Sequence, residues 1–165
     1  MQEVCVLGGR GVNDDRVTPQ RFFSVFAIGE AITWALLLIG MFLKYVTKTT
    51  EVMVSIGGGV HGFMFIAFCF ATVFVGVSQR WGAGKILLGL ASAIPPFVTI
   101  PFEIWCVRRG LLSGGWGLGP GGREPRGFVE RVFAWAITRP VLTLVLGLVI
   151  VAVIFTAMLL AGPPV

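Results

Sequence analysis

The sequence predicts an all-α, polytopic membrane protein: four transmembrane helices, the third kinked by prolines, plus one short interfacial helix. Composition comes first, because 56% of the 165 residues are hydrophobic and only 13% charged, where about 25% charged is usual for a soluble domain. The mean hydropathy of +0.90 agrees. Segment length comes second. The stretches 22–46, 52–77, 86–107 and 140–161 each supply the run of about 20 mainly apolar residues that a ~30 Å hydrocarbon core requires. The third observation is the placing of the thirteen basic residues, which gather at segment ends. They build no aromatic and basic reading surface, so the net charge of +5 points to lipid headgroups and not to nucleic acid. The expected location is the cell inner (plasma) membrane, crossed several times.

Taken in order, residues 1–20 hold GGRG, Asn13, Asp14, Asp15 and Pro19, a composition that interrupts helices. A mobile tail without the apolar core of a cleavable signal peptide is expected there. Residues 21–109 form a three-helix membrane domain. In its first helix Glu30, Leu37 and Lys44 recur at seven-residue spacing with Trp34 between, so they share an inward face, and Lys44 and Tyr45 sit where an interfacial anchor belongs. In the second helix Gly58 and Gly62 bracket His61 at small-xxx-small spacing, which lets helix backbones approach closely. The glycines follow no strand, so they form no phosphate cradle.

The third helix contains Pro95, Pro96 and Pro101, each lacking a backbone donor, so a kink is expected in preference to a discontinuous helix that lines a site. Ser92, Pro96, Thr99 and Glu103 fall on one face of it. Residues 110–127 read as a flexible glycine-rich linker, in which Gly117, Gly119 and Gly122 match a dinucleotide fingerprint without its strand. Residues 128–162 comprise an interfacial helix, with Phe128, Val132 and Trp135 on one side and Glu130 and Arg131 on the other, and a fourth, wholly apolar span.

Each of the first three spans carries one ionisable group, Glu30, His61 or Glu103, and this intramembrane trio is the candidate site. At 1.5 Å rise per residue, Glu30 and His61 come within about 5 Å in depth, so they are expected to be neighbours that share one proton. Glu103 falls near the depth of Lys44 and is expected to pair with a cation there. The trio is therefore too spread out for a metal, one histidine is too few for haem, and Ser24, Ser55 and Ser92 lie in no nucleophile motif. No cofactor, metal or catalytic residue is assigned, and the protein is not expected to be an enzyme. Cys5, Cys69 and Cys106 share no CxxC spacing and read as free thiols. Counting five basic residues in the tail and the 78–85 loop against eight in the 44–51 and 108–139 loops, four spans would put both termini outside and the linker inside.

Taken together, RFF at 21–23, Glu30 with Thr33 and Trp34, GMFLKYV at 40–46, VHGF at 60–63, SAIPPF at 92–97 and Glu103 give residues 21–109 a recognisable pattern. It resembles the integral-membrane domain-of-unknown-function family 3817 of mostly actinobacterial proteins. The resemblance implies a three-helix inner-membrane domain with no established activity, and it leaves 110–165 outside. Two functions fit these features. The favoured one is an accessory or scaffold subunit that packs against another membrane protein or against itself. The alternative is a small carrier or proton-handling protein using Glu30 and His61.

Overall fold

The computed structural model of the protein describes residues 17–118 and 122–161. The expected tail lies outside these, apart from its last four residues, which already lead into the first helix. The described elements are all helical: α1 (Pro19–Tyr45), α2 (Val52–Ser78), α3 (Ala83–Ser92), α4 (Thr99–Arg108), α5 (Gly127–Thr138) and α6 (Pro140–Ala161). Helix α1 starts cleanly because the Thr18 hydroxyl accepts from the Arg21 amide and Pro19 occupies the first turn, where a missing N–H costs nothing. We call the end where α1 begins and α2 finishes proximal, and the end bearing their connecting turn distal.

Helices α1 and α2, 27 residues each, are long and apolar enough to cross a membrane, and the bent pair α5–α6 is a third candidate. The α1–α2 hairpin is the backbone of the fold, and glycine sets its closest approach. A β-carbon on Gly40 would lie 2.8 Å from Met53 O and from Val54, and one on Gly57 would lie 3.1 Å from Leu36 O. Without a hydrophobic force between helices in lipid, such backbone proximity supplies the packing.

The third apolar segment departs from the expected kinked span. Its two ten-residue helices are each about 15 Å long, half of a hydrocarbon core. Helix α3 runs antiparallel to α2, with Gly89 against Thr72 and Ile86 against Gly76. Helix α4 then runs back. Thr99 meets Ala27 and Glu30, Glu103 meets Ser24, and beyond the helix the Leu111 carbonyl accepts from the indole of Trp81, just past the proximal end of α2. The segment thus enters and leaves at the same end.

Proline is the cause. Pro95, Pro96 and Pro101 cannot donate to the ladder, so the carbonyls left open must find other partners. Ala91 O and Phe97 O accept instead from Ile94 N and Ile100 N in tighter turns, and Phe97 itself takes a left-handed φ of 65° that reverses the chain.

The linker follows the hairpin back to the proximal end. Trp116 donates to Val17 O and its ring packs on Phe22 and Phe74, while Gln79 donates to Gly115 O and Arg123 to Val77 O. The first part of the expected flexible linker is therefore tied down. Helix α5 leans on α2 through Phe133 and Phe74, and α6 turns away from it by 113° to run antiparallel to α2, with Gly147 beside Phe70 and Phe155 beside Gly59 and Gly62. Two or three crossing helices and a proximal hairpin stand where the sequence predicts four spans. The core lies at the proximal half, where Phe23, Phe68, Trp81 and Phe102 interlock edge to face or tilted.

Two predictions follow from this packing. Gly40→Ala should cost about 1–3 kcal/mol by forcing α1 from α2, whereas Gly82→Ala, with nothing within 4 Å, should change stability by less than about 0.5 kcal/mol; thermal unfolding in detergent reads both. At the linker, Glu130 accepts from the Arg123 guanidinium and the Arg126 amide, which hold its carboxyl from 4.5 down to about 2. A depressed carboxylate contributes stability above its unfolded value and loses it as pH falls. The tie between linker and α5 should therefore survive at pH 4.5 and open by about pH 2. Pepsin cleavage near residue 123, compared with Glu130→Gln, which should be cut equally readily across that range, checks this.

Candidate functional site: a polar layer at mid-depth

The break in the third segment places its tip against the middle of α1. Four side chains from α1, α2 and α4 meet there: Glu30, Thr33, His61 and Thr99, with the Trp34 ring closing one side. Glu30 is wholly buried, Thr99 likewise, and His61 is 8% exposed.

Each polar group is placed by its helix register. Thr33 follows Glu30 by three residues, so its hydroxyl turns back to donate to the Glu30 carbonyl at 2.9 Å. That uses its single hydrogen. The 3.2 Å contact between Thr33 Oγ1 and His61 Nδ1 is then satisfied with Nδ1–H as donor. The imidazole also lies 4.3 Å from the Trp34 ring centroid. Trp34 in turn donates its indole N–H to the Ala93 carbonyl, 3.3 Å away, one of the backbone groups at the end of α3.

The Glu30 carboxyl faces the first turn of α4, where Thr99 donates to Oε2 at 2.9 Å. A helix start is a favourable place for a carboxylate, since the helix dipole is positive there. Glu30 Oε1 has no partner among the described residues.

The sequence-derived trio is thus only partly assembled. Glu30 and His61 occupy one layer but share no hydrogen bond, because Thr33 stands between them and the carboxyl is turned to Thr99. Glu103 is elsewhere. The return of α4 carries it to the proximal end, where Ser24 donates to Oε1 at 2.5 Å, instead of to the distal level of Lys44. Lys44 pairs with Glu51 at 3.7 Å and lies over Tyr45. Among the described residues no three histidine, cysteine, aspartate or glutamate side chains come together.

The supporting residues divide in the same way. Trp34 joins the layer, Pro96 is exposed in the turn, Gly62 receives the Phe155 ring of α6, and Gly58 makes only ordinary contact with Leu37. The close backbone approach belongs to Gly57 and Gly40 instead. Of the thiols, Cys69 and Cys106 are free, and Cys5 lies outside the described residues.

Sequence reasoning placed Thr99 on the polar face of the third segment but did not pair it with Glu30, and it missed Ser24 and the indoles of Trp81 and Trp116. The three prolines were the available signal. Backbone that cannot continue a ladder must find donors, and the nearby tryptophans and threonines were candidates. The Thr99 contact yields a direct test. Thr99→Val keeps the shape but leaves the carboxyl without that donor, which should destabilise by about 1–3 kcal/mol. Combining it with Glu30→Leu should cost less than the sum of the two single changes. Strict additivity in detergent unfolding would mean the bond is not made.

No solved structure matches the chain. A curated protein of Streptomyces coelicolor (strain ATCC BAA-471 / A3(2) / M145), provisionally named as a membrane protein, is 48% identical over 93 residues. The match covers 56% of this chain but only 11% of that much longer protein. The family model described as Domain of unknown function (DUF3817) matches residues 20–108. Those bounds run from the start of α1 to the end of α4, the hairpin and the returning pair that together build the polar layer, and the chain belongs to this family.

Proposed function

We propose that the protein is an accessory module of the cell membrane, embedded by α1, α2 and α6 with α3–α4 dipping in from the proximal face, and that it acts by packing against other membrane helices while catalysing no reaction. The observation that carries this reading is the inward use of the polar layer. His61 is engaged with Thr33, Thr99 with Glu30 and Trp34 with Ala93, so the costly groups lock the helices of this chain to one another. On the proximal side the layer is closed by Phe23, Phe68 and Phe102, and on the distal side by the tight crossing at Gly40 and Gly57. Apolar side chains such as Ile28, Ile32 and Ile39 of α1 point outward, as do those along α6. The family domain's small share of its Streptomyces relative also suits a module attached to other machinery.

A second reading, a small carrier or proton-handling protein, draws on the unpartnered and buried Glu30 Oε1. The two separate experimentally. Purification in mild detergent with crosslinking should recover a stoichiometric membrane partner or a homo-oligomer. Purified protein in proteoliposomes should carry no proton flux above that of empty vesicles. A flux that Glu30→Gln abolishes would replace the accessory reading with the carrier one.

A further inference from the structure

The return of the third segment redistributes charge. Arg21, Arg80 and Lys85 lie at the proximal starts and ends of α1, α2 and α3. Because α4 comes back, Arg108 and Arg109 join them. Arg123, Arg126, Arg131 and Arg139 follow around α5, whose Phe133 rests on Phe74 in the last turns of α2. Nine of the eleven described basic residues are therefore proximal, and only Lys44 and Lys48 are distal. With four spans the same residues would divide three to eight, with the larger group on the opposite side.

Helix α5 presents three different faces at this end. Phe133 and Ala136 turn to the bundle. Phe128, Val132 and Trp135, at i, i+4 and i+7, are 81%, 46% and 41% exposed, a large apolar stripe for a helix outside the spans. Arg131 flanks that stripe, and Arg139 lies 5.5 Å over the Trp135 ring. The 113° turn into α6 lays α5 across the bundle end instead of along it. The acids Glu124 and Glu130 are fewer than the cations here, and Glu130 is already taken by Arg123.

We propose that this proximal face is cytoplasmic and that α5 docks it onto the anionic phospholipid headgroups of the inner leaflet, with its aromatic stripe among the acyl chains and Arg126, Arg131 and Arg139 at the phosphates. An excess of arginine and lysine in short loops stays on the cytoplasmic side, and that leaflet is negatively charged. A basic helix with exposed aromatics matches such a surface in both charge and polarity. The sequence-derived orientation, with both termini outside, is thereby reversed at the N-terminus, and the two ends of the described chain fall on opposite sides.

The test uses the full chain with Cys5→Ser as background, leaving Cys69 and Cys106 in place. An impermeant maleimide applied to intact cells should label Lys48→Cys, and should reach Ser113→Cys and Glu124→Cys only after permeabilisation. The reverse pattern overturns the orientation, and labelling of all three positions from one side would mean that residues 86–107 cross after all. Hydrogen exchange of the unmodified protein, in nanodiscs of phosphatidylcholine alone or mixed equally with phosphatidylglycerol, tests the docking. Exchange across α5 should slow on the order of tenfold with the anionic lipid, and the difference should vanish at high salt or in the Arg126→Gln, Arg131→Gln, Arg139→Gln variant. Equal exchange in the two lipids would overturn the docking even if the orientation held.

Discussion

A backbone that loses its hydrogen-bond donors inside lipid must reverse or be answered by protein, and in this chain it does both. Pro95 and Pro96 end α3 half way through the apolar layer, and the reversal needs a partner at that depth. Trp34 and Glu30 of α1 are that partner, one taking the Ala93 carbonyl and the other the Thr99 hydroxyl. Other features depend on this junction. It sets the direction of α4, moves Glu103 to the proximal end, and leads the linker back over α2, where Trp81 and Trp116 fasten it.

The polar layer also explains why an acid and a histidine are tolerated at this depth. A buried ionisable group is costly unless its hydrogen bonds are supplied locally. Thr33 answers both the Glu30 backbone and His61, and the opening turn of α4 answers the carboxyl. Glu30 Oε1 is the one acceptor of that carboxyl left over among the described residues, and it is the atom on which a structural and a proton-handling role would differ.

Much of this was legible in the sequence. The α1–α2 hairpin follows from two long apolar runs and a short polar turn, and the depth arithmetic correctly put Glu30 and His61 in one layer. What periodicity could not supply was direction. Ser92, Thr99 and Glu103 lie on one face whether the helix kinks or folds back, so the prolines announced an interruption without stating its angle. One wrong direction then displaced the partner of Glu103 and shifted the sorting of six arginines after residue 107. Gly58 and Gly62 illustrate a smaller ambiguity: the spacing marks a face where a helix can settle, and only the crossing geometry gives the backbone contact to Gly57 and the other face to α6.

The seat of α6 differs in kind from the rest of the bundle. Its inner contacts are Phe155 set against Gly59 and Gly62, Gly147 beside Phe70, and a buried Val151. Among the described residues no polar side chain of α6 is hydrogen-bonded to α2; Thr143 donates to the Ala136 carbonyl of α5. In lipid, a helix that leaves such a seat exposes nothing to water, so shape and covalent attachment hold it there. The short connection through α5 keeps α6 at high effective concentration beside the notch, and this tether does what affinity does elsewhere. The two-glycine notch is accordingly a seat shaped for a large ring, filled here by Phe155 of α6.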